Sequence, residues 1–333
     1  MHLDLTAAGP ADLLQALAGG RPLENGQLLL NNQLGRGYLQ VAELGPQLRL
    51  LLCQLELHQE LVLIRRADLT RQVLTFSFRH LLAAAGQATR LATVQVMSAG
   101  MDLELTLPAQ LPVNTLLLIA DAALFGELPA DEAGQPLLQP LLASRQPFVF
   151  EELMSPAMQQ VAAALVAAEV PAGLRLYYQR VKAEELLCLF LAELGKRGSP
   201  GAPYPLRTPD VRRLYQVRDQ LLQDLSRPPS LPALAQAAGW SESKLKRVFK
   251  QVFGTPPYQY YQAARLREAA RLLRTEHLSV AEVGYRLGFQ NLSHFSQLFA
   301  RHIGAKPKQF GKQHAEASSK QPLGHWADHS SVG

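Results

Sequence analysis

SLPALAQAAGWSESKLKRVFKQVFG at residues 230–254 and LSVAEVGYRLGFQNLSHFSQLFARHIGAKPKQF at residues 278–310 are two copies of one pattern. In the first, Ala235 is followed four residues on by Gly239, then by Trp240, Ser241, Leu245, Arg247, Phe249 and Gly254. In the second, Gly284 is followed four residues on by Gly288, then by Phe289, Asn291, Phe295, Gln297, Phe299 and Gly304. A small residue (Ala235, Gly284) lets two helices approach at a steep angle, and a glycine after it (Gly239, Gly288) takes the positive φ that turns the chain. Each copy therefore reads as a helix-turn-helix, and two in tandem suggest two helices placed in DNA grooves.

The flanking punctuation completes this region. A helix is expected from Asp210 to Ser226, stopped by Pro228 and Pro229. Ser230 caps a second and Ser241 a third, Pro257 opens a long helix to about Arg274, and Ser279 with Glu282 forms a capping box. The last helix is expected over 291–302. Six helices are placed in this way within a domain read as seven-helical, with Leu245, Phe249, Leu266, Leu272, Leu273, Phe295 and Phe299 as core.

Charge is distributed to match. Residues 207–312 hold 18 Lys and Arg against 7 Asp and Glu, whereas the remainder holds 15 against 21, so the overall charge of +5 conceals a basic segment on a mildly acidic partner. Lys and Arg displace the counterions condensed on phosphate, and a basic segment joined to an acidic one suits a nucleic-acid binder with a control module.

The residues SLPALAQAAGWSESKLKRVFKQVFG, YYQAARLREAARLLR (260–274) and LSVAEVGYRLGFQNLSHFSQLFARHIGAKPKQF resemble the AraC/XylS family of bacterial transcription regulators. The resemblance spans about 210–310 and includes the G-x-x-P-x-x-F ending of Gly304, Pro307 and Phe310. It implies that the DNA-reading positions are Ser243, Lys246 and Arg247 in the first unit and Leu292, Ser293, Ser296 and Gln297 in the second; Lys250, counted with the same DNA-binding set, is expected on phosphate or in solvent. Gln297 stands where the family often has Arg; a Gln pairs with adenine where an Arg favours guanine. Lys244 is expected on phosphate or in solvent, His294 in a packing or backbone contact, and Arg265 and Arg267 in structural ion pairs or on phosphate.

The first two hundred residues have a different period. Leu74, Phe76 and Phe78 alternate with Thr75, Ser77 and Arg79, and Leu103, Leu105 and Leu107 with Asp102, Glu104 and Thr106. Further strands are expected at 27–31, 38–43, 47–57, 60–64, 92–98 and 115–119, and many short strands suggest a sandwich or small barrel. A short helix is expected at 12–17. Helical periodicity returns after Leu137: Ser155 and Pro156 open one helix, and Leu174, Tyr177, Tyr178 and Val181 lead to Leu187, Phe190, Leu191 and Leu194. This wide apolar stripe either covers the barrel or forms a dimer seam.

This half, with SPAMQQVAAALVAAEVPAGLRLYYQRVKAEELLCLFLAEL at 155–194, is similar to the siderophore-responsive pyochelin-regulator branch of the same family. That resemblance implies a cupin-like sensor barrel over 1–135 and a helical dimerisation or support region over 136–195, while composition marks a linker over 196–206 and a disordered tail over 313–333 on either side of the DNA-binding domain at 207–312. The fold class is thus α+β, a cupin-like barrel with helices followed by an all-α tandem helix-turn-helix domain.

The metal-binding histidines of enzymatic cupins are absent, so no metal, cofactor or catalysis is expected. Arg65, Arg66, Arg79 and His80 stand at strand ends, where they could meet an anionic ligand or simply solvent. Cys53 and Cys188 read as packed, reduced thiols. No apolar run reaches the length of a membrane span, and the start lacks a basic flank before an apolar stretch, so the cytoplasm is the expected location. The expected function is a ligand-responsive transcription activator whose partners are double-stranded DNA, RNA polymerase, a small-molecule effector such as a siderophore, and a second copy of itself. A small-molecule enzyme fused to a DNA-binding module is the competing reading, but it lacks a nucleophile motif, a paired acid and base, and a metal triad.

Overall fold

The computed structural model describes residues 2–4, 27–68, 70, 72–79, 92–126, 147–196, 206–276 and 278–318. The short helix expected at 12–17, His80, most of the linker and the tail beyond 318 lie outside the described residues. The chain falls into two units: Met1–Tyr215 with Ser243–Pro256, and Gln216–Glu242 with Pro257–Gly333. The overall class is α+β, with strands first and helices after.

In the first unit, β1 (His2–Asp4), β5 (Leu61–Arg65) and β8 (Leu103–Leu107) form a three-stranded sheet. A second sheet has seven strands in the order β10-β7-β6-β9-β4-β3-β2. These are β2 (Gln27–Asn32), β3 (Gly35–Gly45), β4 (Leu48–Leu57), β6 (Val73–Arg79), β7 (Thr93–Ser98), β9 (Pro112–Asp121) and β10 (Val149–Leu153), all antiparallel to their neighbours. Strand β10 falls in a stretch whose sequence suggests only helices; Phe148–Phe150 and the acidic pair after it give too short an alternation to register. Its strand character comes from pairing with β7, where Phe150 sits opposite Val96.

Period-two alternation gives the large sheet two different faces. On one, Leu50, Leu52, Leu74, Phe76, Phe78, Val94, Val96, Leu116 and Leu118 pack with α1 (Pro156–Ala167) and α2 (Arg175–Gly195). Phe76 meets Phe190 of α2 edge-on at 5.4 Å. Burying a side chain of this kind contributes roughly 1.5–3 kcal/mol, so apolar burial is the main hold on the two helices. Ser155 caps α1 by accepting from the Met158 amide, as the Ser-Pro pair suggests. On the opposite face Leu39, Leu51, Cys53 and Leu117 share a second core with Leu61, Leu63 and Leu107 of the small sheet.

Of the two apolar sets, only the second packs on the sheet. Leu187, Phe190, Leu191 and Leu194 are buried, whereas Leu174, Tyr177 and Val181 are 57%, 71% and 44% exposed. The two cysteines also differ: Cys53 is buried, and burial pushes its thiol up to about 12, while Cys188 is exposed on α2 rather than packed.

The basic region holds α3 (Thr208–Leu222), α4 (Leu231–Ala238), α5 (Glu242–Phe253), α6 (Pro257–Thr275), α7 (Val280–Arg286), α8 (Leu292–Ile303) and α9 (Pro307–Ser318). Helix α9 continues to Ser318, past the point at which the sequence suggests that order ends. All seven expected core residues are buried. No helix among the described residues is long and apolar enough to cross a membrane.

Candidate nucleic-acid interface

The second helix-turn-helix is built from Gly284 outward. A Cβ there would lie 2.6 Å from Leu292 Cδ2, so the missing side chain is what lets α8 approach α7. Gly288 then turns the chain at φ +73, and a Cβ on it would meet the Ser226 carbonyl oxygen at 2.1 Å. Glycine is required at 288 both for its conformation and for its lack of bulk. Across the turn the Phe289 amide donates to the Gly284 carbonyl at 2.9 Å, and Asn291 caps α8 by accepting from the His294 amide at 2.9 Å. The aromatic chain Phe289, Phe295, Phe299, Phe310, with centroids 4.9, 5.8 and 5.6 Å apart, carries the core from the turn through α8 into α9. Phe310 thereby explains the G-x-x-P-x-x-F ending.

Arg265 of α6 fixes this turn from beneath. It is 6% exposed, donates from Nε to the Leu287 carbonyl at 3.1 Å and also from Nη2, and lies 3.8 Å over the Phe289 ring. Burial pulls its guanidinium below its ordinary value, with Tyr261 and Tyr258 opposing the shift. The expected ion pair or phosphate contact is therefore corrected: Arg265 serves a carbonyl and an aromatic face, which the guanidinium fork and plane suit. A network running from buried Glu268 out to exposed Arg286 does the ion pairing nearby, Arg271 with Glu268 at 2.8 Å and with Glu276 at 3.0 Å, and Arg286 with Glu276 at 2.7 Å. Hydrogen bonds from Arg271 and then Arg286 hold the Glu276 carboxyl below its usual range. The capping box of α7 is complete, Glu282 accepting from the Ser279 amide at 2.8 Å and Ser279 accepting from the Glu282 amide at 3.2 Å.

In the first helix-turn-helix, Ser230 caps α4 and Gly239 closes it at φ +68, with its amide bonded to Gln236 and the Trp240 amide to Ala235. Helix α5 follows after Ser241. It presents Ser243, Lys246, Arg247 and Lys250 on its exposed side, with Leu245, Val248, Phe249 and Phe253 buried. Lys244 is half-buried, 3.6 Å from the Asp210 carboxylate, so it is paired within the protein rather than given over to phosphate or solvent.

In α8, Ser293 and Gln297 are exposed on the same side of the helix. Ser296 is half-buried and donates its hydroxyl to the Leu292 carbonyl at 2.8 Å, and Leu292 is half-buried against Gly284. His294 is exposed, and its backbone amide is the group it contributes to the cap.

Residues 234–313 match the family model described as a helix-turn-helix domain. This is an AraC-type helix-turn-helix domain. Relatives that share sequence with the chain include the regulatory protein PchR of Pseudomonas aeruginosa, 36% identical over 124 residues, 37% of this chain and 42% of that protein. Another is the transcriptional activator NphR of a Rhodococcus species, 38% identical over 113 residues, 34% of this chain and 33% of that protein. The chain thus spans less than half the length of either relative. Among solved structures, an AraC-type regulator from Chromobacterium violaceum is 30% identical over 32% of this chain and 95% of its own, with a TM-score of 0.31.

The exposed residues around the AraC-type domain's second turn were accessible to sequence reasoning. Two features were not. The Arg271–Glu268–Glu276–Arg286 network joins residues whose spacing crosses a helix break. A hydrogen bond from Gln95 Nε2 to the Tyr215 hydroxyl links positions 120 residues apart and has no signature in either segment.

Proposed function

We propose that the chain is a sequence-specific DNA-binding transcription regulator, a ligand-responsive activator working in the cytoplasm, and not an enzyme. The observation that carries this reading is the tandem arrangement in which α5 and α8 each bury an aromatic-rich side and expose Ser243, Lys246, Arg247 and Lys250, or Ser293 and Gln297. Short polar and basic side chains on an exposed helix face suit base edges and phosphates in a major groove. Ser296 and Leu292 belong to the same reading surface, where Leu292 offers apolar contact to a thymine methyl and Ser296 a hydroxyl already tied to its helix.

In this reading residues 1–135 are the cupin-like sensor, 136–195 the support and dimerisation region, and 207–312 the DNA-binding domain, reached through the linker at 196–206. The sensor takes a small-molecule effector, a siderophore or another natural product, and the DNA-bound protein recruits RNA polymerase. A second copy joins along α2, because Tyr177 and Val181 on the helix and Leu174 just before it lie exposed.

The two reading helices should occupy successive major grooves, with half-sites about 10 base pairs apart. Duplexes selected by the full chain from a random library should show two protected half-sites on one face of the DNA, and inserting half a helical turn between them should abolish binding. Undiminished binding after that insertion would remove the two-helix reading.

A further inference from the structure

At its β6-β7-β10 end the large sheet buries two faces of opposite chemistry, although the second face turns apolar from Leu117, opposite Ser77, onward to Leu51 and Cys53. Against the leucines and phenylalanines that hold α1 and α2, the alternate positions Thr75, Ser77, Thr93, Gln95 and Glu151 are equally buried, each at most 6% exposed. Register sets Ser77, Gln95 and Glu151 side by side across β6, β7 and β10. An apolar face stays shut because opening it exposes hydrocarbon to water, whereas a polar face returned to water recovers hydrogen bonds from solvent. A contact made on the polar face is therefore one that can open.

One such contact is in place. Arg79, the last residue of β6, donates from Nε to Ser77 Oγ at 3.1 Å and from Nη2 to Gln95 Oε1 at 3.0 Å. Gln95 in turn donates from Nε2 to the Tyr215 hydroxyl on α3 at 2.5 Å. The Tyr215 ring stands edge-on to Phe253, the last residue of α5, with centroids 5.5 Å apart and an interplanar angle of 73°. A cation on the carbonyl side of an amide polarises it and strengthens its N–H groups as donors, so Arg79 reinforces the bond that Gln95 makes to Tyr215.

We propose that Arg79, Gln95 and Tyr215 form a latch that ties α3, and through Phe253 the end of the first reading helix, to the sensor sheet, and that this tie opposes DNA binding. Arg79 is its trigger. An anionic group of a small molecule that pairs with Arg79 withdraws it from Gln95, weakens the bond to Tyr215 and frees α3. The inference rests on the reading of α5 as a DNA-reading helix.

The test uses the full chain and the duplex it selects from a random library with no small molecule present. Tyr215→Phe and Gln95→Leu should each bind that duplex about fivefold tighter than the wild type, the value of one net hydrogen bond. The double variant should bind no tighter than either single one, because both remove the same interaction. Arg79→Gln, which neutralises the trigger as an anion would, should shift affinity in the same direction. Wild-type affinity in both single variants, additivity in the double variant, or an unchanged Arg79→Gln protein would each overturn the latch. Amide hydrogen exchange reads the tie without DNA. Tyr215→Phe should speed exchange over 208–222 and leave 280–303 unchanged, and equal rates over 208–222 would also overturn the proposal. A full chain that selects no duplex at all would instead defeat the DNA-binding reading, with exchange still deciding whether the tie exists.

Discussion

Arg247 and Lys250 are both exposed on α5, yet their roles in the proposed complex differ. Arg247→Ala should cost roughly 1–3 kcal/mol of binding and relax preference at one base pair, because a guanidinium on a base edge is read bidentately. Lys250→Ala should weaken all duplexes alike, as loss of a phosphate contact does. Selection from a random library with each variant separates the two, and an unchanged base preference for Arg247→Ala would reassign that residue to phosphate. The turn glycines give a second comparison. At Gly239 nothing lies within 4 Å of a would-be Cβ, so Gly239→Ala meets only the left-handed conformation, about 1–2 kcal/mol. At Gly288 the Ser226 carbonyl blocks the same atom, and Gly288→Ala should destabilise by roughly 2–4 kcal/mol. Denaturant unfolding of the two variants checks the order, and equal losses would contradict it.

At the scale of the element, α7 depends on ionised carboxylates at both of its approaches. Hydrogen bonding from Ser279 holds the Glu282 carboxyl below its ordinary value, and Arg271 followed by Arg286 does the same for Glu276. A carboxyl whose native pKa is depressed binds protons more readily in the unfolded chain, where its value is about 4.3. The stabilising contribution is therefore complete above that value and is lost as pH falls through the lower native one. Thermal unfolding of the chain followed from about pH 5 to about pH 3 should show a declining midpoint. Glu282→Gln, whose amide oxygen can still accept from the Ser279 amide, should shallow that decline while changing the neutral-pH midpoint little. A Glu282→Gln protein with the full wild-type acid slope would show that the capping carboxylate is not one of its sources.

For the molecule as a whole, the exposed apolar set at the start of α2 bears on assembly. Tyr177 is 71% exposed beside Leu174 and Val181, a grouping of large apolar side chains that water would otherwise contact. The wild-type chain should sediment as a dimer at micromolar concentration, and Tyr177→Glu should sediment as a monomer with the same far-ultraviolet circular dichroism. A wild-type monomer, or a dimer indifferent to Tyr177→Glu, would remove α2 as the seam.

The sequence by itself determined the elements whose signals are local. Ser230, Ser279 and Asn291 cap the helices they precede, Gly239 and Gly288 make the turns, and the 3.6-residue spacing of Leu245, Phe249, Phe295 and Phe299 fixes which sides of α5 and α8 face inward. The choice of outward positions as DNA-reading came from the family resemblance rather than from spacing: Ser243, Lys246, Arg247, Ser293 and Gln297 are exposed, as is Lys250, whereas Leu292 and Ser296 are half-buried. Tertiary structure alone decided what depends on partners distant in sequence. Strand β10 exists through its register with β7, the sets at 174–181 and 187–194 share one apolar spacing on different sides of the chain yet only the second is covered, and Arg265 became a carbonyl clamp because the Leu287 turn was folded over it. The Gln95–Tyr215 bond is the extreme case. Local patterns record which way a side chain points, but burial and polar partnership are properties of the surface that arrives to meet it, and the chain supplies that surface from elsewhere.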